Sequence, residues 1–385
     1  MNRREFLTMG GAFGARVLLG SSLFSLGCDL TLYGPLEAPD ENGIRLPKGF
    51  RSRLLARQGD PVAETAFVWP PAPDGGAVFR DEYHGWIYVV NSEVVPGGAS
   101  ALRFDRSGRV VDAYSILAGT QRNCAGGATP WGTWLSCEEV PAGKVYECDP
   151  RGVAPAVARS AMGHFQHEAV ATDPVGRQLY LTEDRPDGRL YRFTPNQWER
   201  LDAGVLEVAL VDDTGFVTWQ RVPIPTPSPR QPATRHQVPA SRAFNGGEGI
   251  VWSAGKIFFA TKGDNRVYEL DLATSMLRIA YAAATDPIGQ LRGVDNVTVS
   301  PRGDLVVAED GGNMELVFVT PEGVGLAFLR VEGQPFSELA GPAFDPSGQR
   351  LYFSSQRGPD GRGLTYEVRG PFRSLRRHAL QKGVT

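Results

Sequence analysis

The chain has 385 residues, 42% of them hydrophobic, with 46 glycines, 29 prolines and a formal charge of −3 at neutral pH. That length could hold two domains, and the apolar fraction permits a substantial core. The near-balanced charge and a pI near 6.0 give no electrostatic reason to expect nucleic acid as a partner.

In chain order, the first segment reads as targeting. Arg3 and Arg4 are followed by the apolar pair Phe6-Leu7 and a modest apolar stretch to Phe24. Residues 1–28 therefore look like a twin-arginine export signal, addressed to the machinery that carries folded, often metal-loaded proteins. An uncleaved membrane anchor is the competing reading, although the stretch is short for a span of about 20 residues. Ser25-Leu26-Gly27-Cys28 weakly resembles a lipoprotein cleavage box, which makes Cys28 a candidate lipid anchor. The expected location is outside the cytoplasm, periplasmic or membrane-anchored and facing the periplasm. Residues 29–44 read as a linker, 45–372 as the folded body and 373–385 as a basic tail.

Six short runs in that body repeat one pattern, four mostly apolar residues and then a polar cluster. They are Ile87–Val90 before Asn91-Ser92-Glu93, Thr133–Ser136 before Cys137-Glu138-Glu139, and Leu179–Thr182 before Glu183-Asp184-Arg185. Ile257–Ala260 precedes Thr261-Lys262-Gly263-Asp264, Leu305–Ala308 precedes Glu309-Asp310, and Leu351–Ser354 precedes Ser355-Gln356-Arg357. Their starts are spaced by 46, 46, 78, 48 and 46 residues. A period in the forties, with β-branched and aromatic runs divided by Gly and Pro, predicts an all-β fold, a six-bladed β-propeller.

About ten residues before each run lies a second aligned feature: Asp74, Cys124, His167-Glu168, Glu248, Asp295-Asn296 and Ala340-Gly341-Pro342. Each opens a strand-like stretch, expected to be the innermost of its blade. Antiparallel hairpins would return the polar clusters to the same end of the molecule. Asp74, Cys124, Glu168, Glu248 and Asn296 would then line one funnel, with Glu93, Glu138, Glu139, Glu183, Asp184, Asp264, Glu309 and Asp310 nearby. So many carboxylates cannot converge uncompensated, so cations must supply the balance. Cys137 and Cys148 flank a turn and are candidates for a cross-strand disulfide. Cys124 is then left alone in the ring, either a buried small apolar residue or a thiolate ligand to a metal softer than calcium, iron or zinc.

These motifs resemble the PhoX-type alkaline phosphatases. The likeness is carried by Asn123–Glu139, His167-Glu168-Ala169, Leu181–Arg185, Gly247-Glu248-Gly249, Thr261–Arg266, Asp295–Asp304 and Ala308–Gly312. The resemblance implies a six-bladed propeller exported by the twin-arginine route that hydrolyses small phosphate esters with several Ca2+ ions and Fe3+. It implies Cys124 as the iron ligand. Glu138 or Glu139, Glu168, Glu183 or Asp184, Glu248, Glu309 and Asp310 would be carboxylate ligands, and Asn296 offers an amide oxygen suited to calcium. One departure stands out. Phosphatases of this family often carry an Arg two places before the Glu matching Glu248, and here that place is Gly246. Arg185, Lys262 or Arg292 could substitute as the cation facing a phosphate, with Arg185 and Lys262 the chosen candidates.

Plainer roles compete at several positions. Asp74 suits an Asx turn, while Asp173, Asp304 and Asp345 belong to hairpin turns. His167 should face away from the axis if Glu168 faces it. The long third gap, about 196–245, is rich in Pro from Val222 to Pro232 and reads as an excursion decorating the rim. Gly49–Ala56 is expected to close the ring against Leu364–Val368. Beside a phosphoesterase, two alternatives remain: a calcium-dependent propeller esterase or lactonase, and a non-catalytic binding propeller that keeps structural metal.

Overall fold

The computed structural model describes residues 32–372, apart from 83–84, 290 and 301–302. The export signal, Cys28 and the basic tail lie outside the described residues. Six antiparallel sheets make a six-bladed β-propeller. The innermost strands are Pro73–Arg80, Asn123–Ala128, His167–Asp173, Gly247–Ser253, Val294–Val299 and Leu339–Phe344. They enclose an axial cavity of about 510 Å³ lined by small and apolar residues such as Ala125, Gly127, Val170, Val251 and Gly341. Only a residue without Cβ fits at some of these points: a Cβ on Gly127 would lie 1.8 Å from the Val170 carbonyl oxygen.

Alternation along each second strand gives the blade two buried faces. Ile87 and Val89 pack with Trp134 and Cys148 of the second blade. Tyr88 and Val90, one residue out of phase, pack with Tyr352 of the sixth. Each of the six apolar clusters joins two neighbouring blades in this way. Fully buried aromatics such as Trp134, Tyr352 and Phe259 anchor the seams, each worth about 1.5–3 kcal/mol of burial.

The ring closes by sequence-distant pairing. Arg51–Arg57 forms the outer strand of the sixth blade beside Leu364–Arg369, where closure was expected. Ile44–Arg45 also adds to the fifth blade beside Gly325–Val331. The long third gap is only partly an excursion. Arg200–Val211 and Val217–Arg221 extend the third sheet to five strands, and only the segment after Arg221 leaves it. Val222, Thr234, Val238 and Phe244 are buried there, and Thr234 Oγ1 donates to the His164 carbonyl at 2.7 Å. The expected Cys137–Cys148 disulfide is absent, and both thiols are free. Cys137 pairs with Val145 and Cys148 with Trp134, an offset of three residues that sends the two side chains to opposite faces of the sheet. Among the described residues no helix is long and apolar enough to cross a membrane.

Candidate metal centre

One backbone hydrogen bond repeats in every blade at the same end of the propeller. The residue after the second strand donates its N–H to the carbonyl just before the inner strand. The pairs are Glu93 to Ala72, Glu139 to Arg122, Asp184 to Gln166, Lys262 to Gly246, Asp310 to Gly293 and Gln356 to Glu338, at 2.8–3.2 Å. Just inside this bond, each inner strand carries one residue more than its partner. A β-bulge of this kind re-aims side chains that simple alternation would place elsewhere. At the bulge stand Asp74, Cys124, Glu168, Glu248 and Asp295, with Ala340 as the sixth equivalent.

The two tiers meet. Asp74, Glu93 and Cys124 bring ligand atoms within 4.8 Å of one another, as do Cys124, Glu139 and Glu168, then Glu168, Glu248 and Asp295, and finally Asp295, Asp310 and Glu338. Shared members link these groups into one arc around the axis. Ala340 breaks the inner tier, and Glu338 from the same blade supplies its carboxylate instead.

Burial dominates the electrostatics. It pushes Glu168 well above the usual carboxylate range, with Glu248 and Glu139 adding repulsion. Burial, then Glu93, raises Glu139 to about 8, and burial lifts Asp295 to about 6 against the pull of Lys262. The Cys124 thiol is raised by burial, then by Asp74 and Glu168, and its Sγ lies 3.1 Å from Glu168 Oε1. Glu168 Oε2 is buried and has no hydrogen-bond partner. An orphaned buried carboxylate oxygen costs about 1–3 kcal/mol or more unless something occupies its lone pairs. A donor set of carboxylates plus one thiol, with an orphaned oxygen at its centre, fits metal ions: hard oxygens for calcium, the sulfur for a softer ion.

Three protein cations among the described residues pair with this arc, one of them Arg357, 3.4 Å from Glu338 Oε2. Lys262 Nζ is 3.0 Å from Asp310 Oδ2, 3.2 Å from Glu248 Oε1 and 3.7 Å from Asp295 Oδ2, the Glu248 contact lacking hydrogen-bond alignment. Arg122 reaches Glu93 and Glu139 from a left-handed backbone, φ 43°.

Residues 91–147 and 141–275 match the model of the family described as alkaline phosphatase PhoX. Over these residues the chain matches the PhoX family. It is accordingly a hydrolase of the phosphatase class. No curated protein matches it. Among solved structures it is similar to Pseudomonas fluorescens PhoX in complex with vanadate, a transition-state analogue. That likeness has a TM-score of 0.70 at 17% identity, over 90% of this chain and 98% of that one. A gluconolactonase from Xanthomonas campestris shares the fold at TM-score 0.51 and 15% identity, over 89% of this chain and 100% of that one. So does a Bacteroides thetaiotaomicron protein of unknown function, at TM-score 0.54 and 10% identity, over 83% and 76%. At such identities these likenesses speak to the fold alone.

Within this site, the residues expected from sequence divide cleanly. Cys124, Glu139, Glu168, Glu248 and Asp310 come together in the arc, and Asp184 lies close enough to raise Glu139 and Glu248 electrostatically. Glu138, Glu183 and Glu309 stand outside those groups. Glu138 accepts the N–H groups of Gln121 and Lys144, and Glu309 those of Arg292 and Glu315. Glu183 takes the Tyr191 hydroxyl and the Arg235 guanidinium. Asn296 is tied down as well: its Oδ1 accepts Gly341 N–H at 2.8 Å and its amide donates to Asp295. Arg185 keeps its buried Nε free of partners, and its carbonyl accepts Gly246 N–H. Gly246 has φ +70°, and a Cβ there would lie 3.3 Å from Asp184 Oδ1. His167 faces away, its ring tilted against Phe165 and its Nε2 at Gly163 O, and burial holds it at about 3.

Asp295 and Glu338 were not among the candidates chosen from sequence. Asp295 sits one bulge position before Asn296, and the hairpins that follow the bulges differ in length, so spacing alone does not set the phase. Glu338 has no acidic counterpart in the other blades, where Ala72, Arg122, Gln166, Gly246 and Gly293 occupy its place.

Proposed function

We propose that this chain is an exported phosphoesterase that cleaves small phosphate esters at the propeller arc, with several metal ions bound there. The observation that carries the reading is the Cys124–Glu168 pair, Sγ to Oε1 at 3.1 Å, beside an orphaned Glu168 oxygen and Glu139. A thiol among carboxylates favours iron at Cys124, Glu139 and Glu168, whereas Asp74 and Glu93 offer only oxygen donors, suited to Ca2+. When bound, such ions would act as Lewis acids toward phosphoryl oxygens and neutralise the converging carboxylates.

The chain's own residues supply positioning. Arg185, next to Asp184 and with an unspent Nε, is the guanidinium for a non-bridging phosphate oxygen. Gly246 leaves room beside it, because no side chain stands between Asp184 and Lys262. The bulges fix the donor side chains on rigid strands, which holds the site open without substrate. Twin-arginine export of a folded, loaded protein suits a centre that mixes iron and calcium, and Cys28 is the residue available for lipid anchoring. The lactonase alternative draws less support, because the Asn296 oxygen is already bonded to Gly341 N–H.

Elemental analysis of the exported protein, with phosphomonoester turnover measured with and without calcium, tests this reading. Stoichiometric iron that disappears in Cys124→Ala, together with calcium-dependent turnover, is the expected outcome. A protein that carries calcium but no iron and turns over an aryl ester or lactone would overturn it.

A further inference from the structure

Position 262 is the odd member of its tier. By the repeated backbone hydrogen bond, its equivalents are Glu93, Glu139, Asp184, Asp310 and Gln356. Four of those are acids, and none is a cation. At this one place the propeller's symmetry has exchanged a negative charge for a positive one. The side chain is 36% exposed, yet its ammonium turns toward the ring. Its Nζ stands 3.0–3.7 Å from carboxylate oxygens of Glu248, Asp295 and Asp310, three charge contacts on a single ammonium.

Nζ stands between two metal-sized groups of oxygens and touches two members of each. Ligand oxygens of Glu168, Glu248 and Asp295 lie within 4.8 Å of one another, and so do those of Asp295, Asp310 and Glu338. A point shared by three such oxygens falls near the bond length calcium takes, roughly 2.3–2.6 Å. Ammonium–carboxylate contacts occupy almost the same radius, about 2.7–3.2 Å. The two cations therefore compete for one volume. Close approach of a divalent ion to the ammonium would be strongly repulsive in so buried a setting.

We infer that Lys262 is a resident cation of the ring, its ammonium holding the place of one metal ion between Glu248, Asp295 and Asp310. This inference rests on the proposed metal-loaded arc and refines it. Metal loads elsewhere on the arc, around Asp74, Glu93, Cys124, Glu139 and Glu168, while the fourth and fifth blades are neutralised by the protein itself. The lysine is then spent on the ring and does not reach for a substrate phosphate, which leaves that contact to Arg185.

The test counts ions. Metal-stripped full-length protein is titrated with calcium by calorimetry, and the reloaded protein is analysed for calcium and iron. Lys262→Met should bind one more calcium per chain than the parent, and Lys262→Arg should keep the parent number. An unchanged count in Lys262→Met overturns the inference. Should that variant fail to fold, Asp310→Asn decides: its tightly held calcium should equal the parent's, and loss of one ion overturns the inference. Iron content is read in the same samples. A parent without iron would count against the Cys124 reading, while the calcium count still decides the role of Lys262.

Discussion

Glu138 and Glu139 are neighbours, both acidic and both buried, yet their oxygens meet different partners. Glu138 closes a loop by accepting two backbone N–H groups. Glu139 faces Cys124 and Glu168 and is repelled by Glu93 and Asp184. Replacing each by Gln separates the roles. A glutamine at 138 keeps one acceptor and turns the other into a donor facing an N–H, at a cost of about 1–3 kcal/mol. Glu138→Gln should therefore lower the urea midpoint and leave the metal count unchanged. Glu139→Gln should lower the metal count while the metal-free protein is no less stable, because a source of repulsion is gone. Elemental analysis and urea denaturation of both variants check this, and the reverse pattern would refute the assignment. Sequence alone left the pair undecided. The same ambiguity held for Glu183 with Asp184 and Glu309 with Asp310, since adjacent residues alternate in direction and only the phase distinguishes them.

The element that sets the phase is the bulged start of each inner strand, and neighbouring side chains hold it in place. Asn91 of the first blade donates to the Ala125 carbonyl at 2.8 Å and the Cys124 carbonyl at 3.1 Å. It also accepts from Trp134 Nε1 and Ser136 Oγ. Thr182 does similar work for the fourth blade, donating to the Glu248 carbonyl. Asn91→Ala would strand several fully buried groups at once, an expected loss of about 3 kcal/mol. Its second effect should be local: iron affinity falls because the Cys124 backbone loses its tether, while calcium affinity falls less. Denaturation curves and metal titrations report the two effects separately, and equal losses for both ions would refute the positioning role. The repeat, the blade count and the closing strand were legible in the sequence because apolar runs and turn residues recur at a fixed period. The bulge was not legible, since one extra residue leaves the period intact. Parity also explains why Cys137 and Cys148 looked like cross-strand neighbours when they face different seams.

Across the whole molecule, the arc couples metal binding to pH and stability. In the metal-free protein, burial raises Glu139 and Glu309 to about 8, far above the ordinary value near 4.5. The folded state then binds more protons than the unfolded chain between those values, so stability is fully present at low pH and declines as pH rises toward 8. His167 works in the opposite sense. Burial depresses it to about 3, so its contribution is complete above the unfolded value of 6.5 and is lost as pH falls below it. Above pH 6.5 only the carboxylates remain, and the sign is unambiguous. Metal-stripped protein should show a denaturation midpoint that falls from pH 6.5 to 8.5. Adding calcium and iron should reverse that slope, because ions bind the deprotonated carboxylates and stabilise the fold by mass action. An equal midpoint at both pH values without metal would mean that these acids are not held protonated in the metal-free fold.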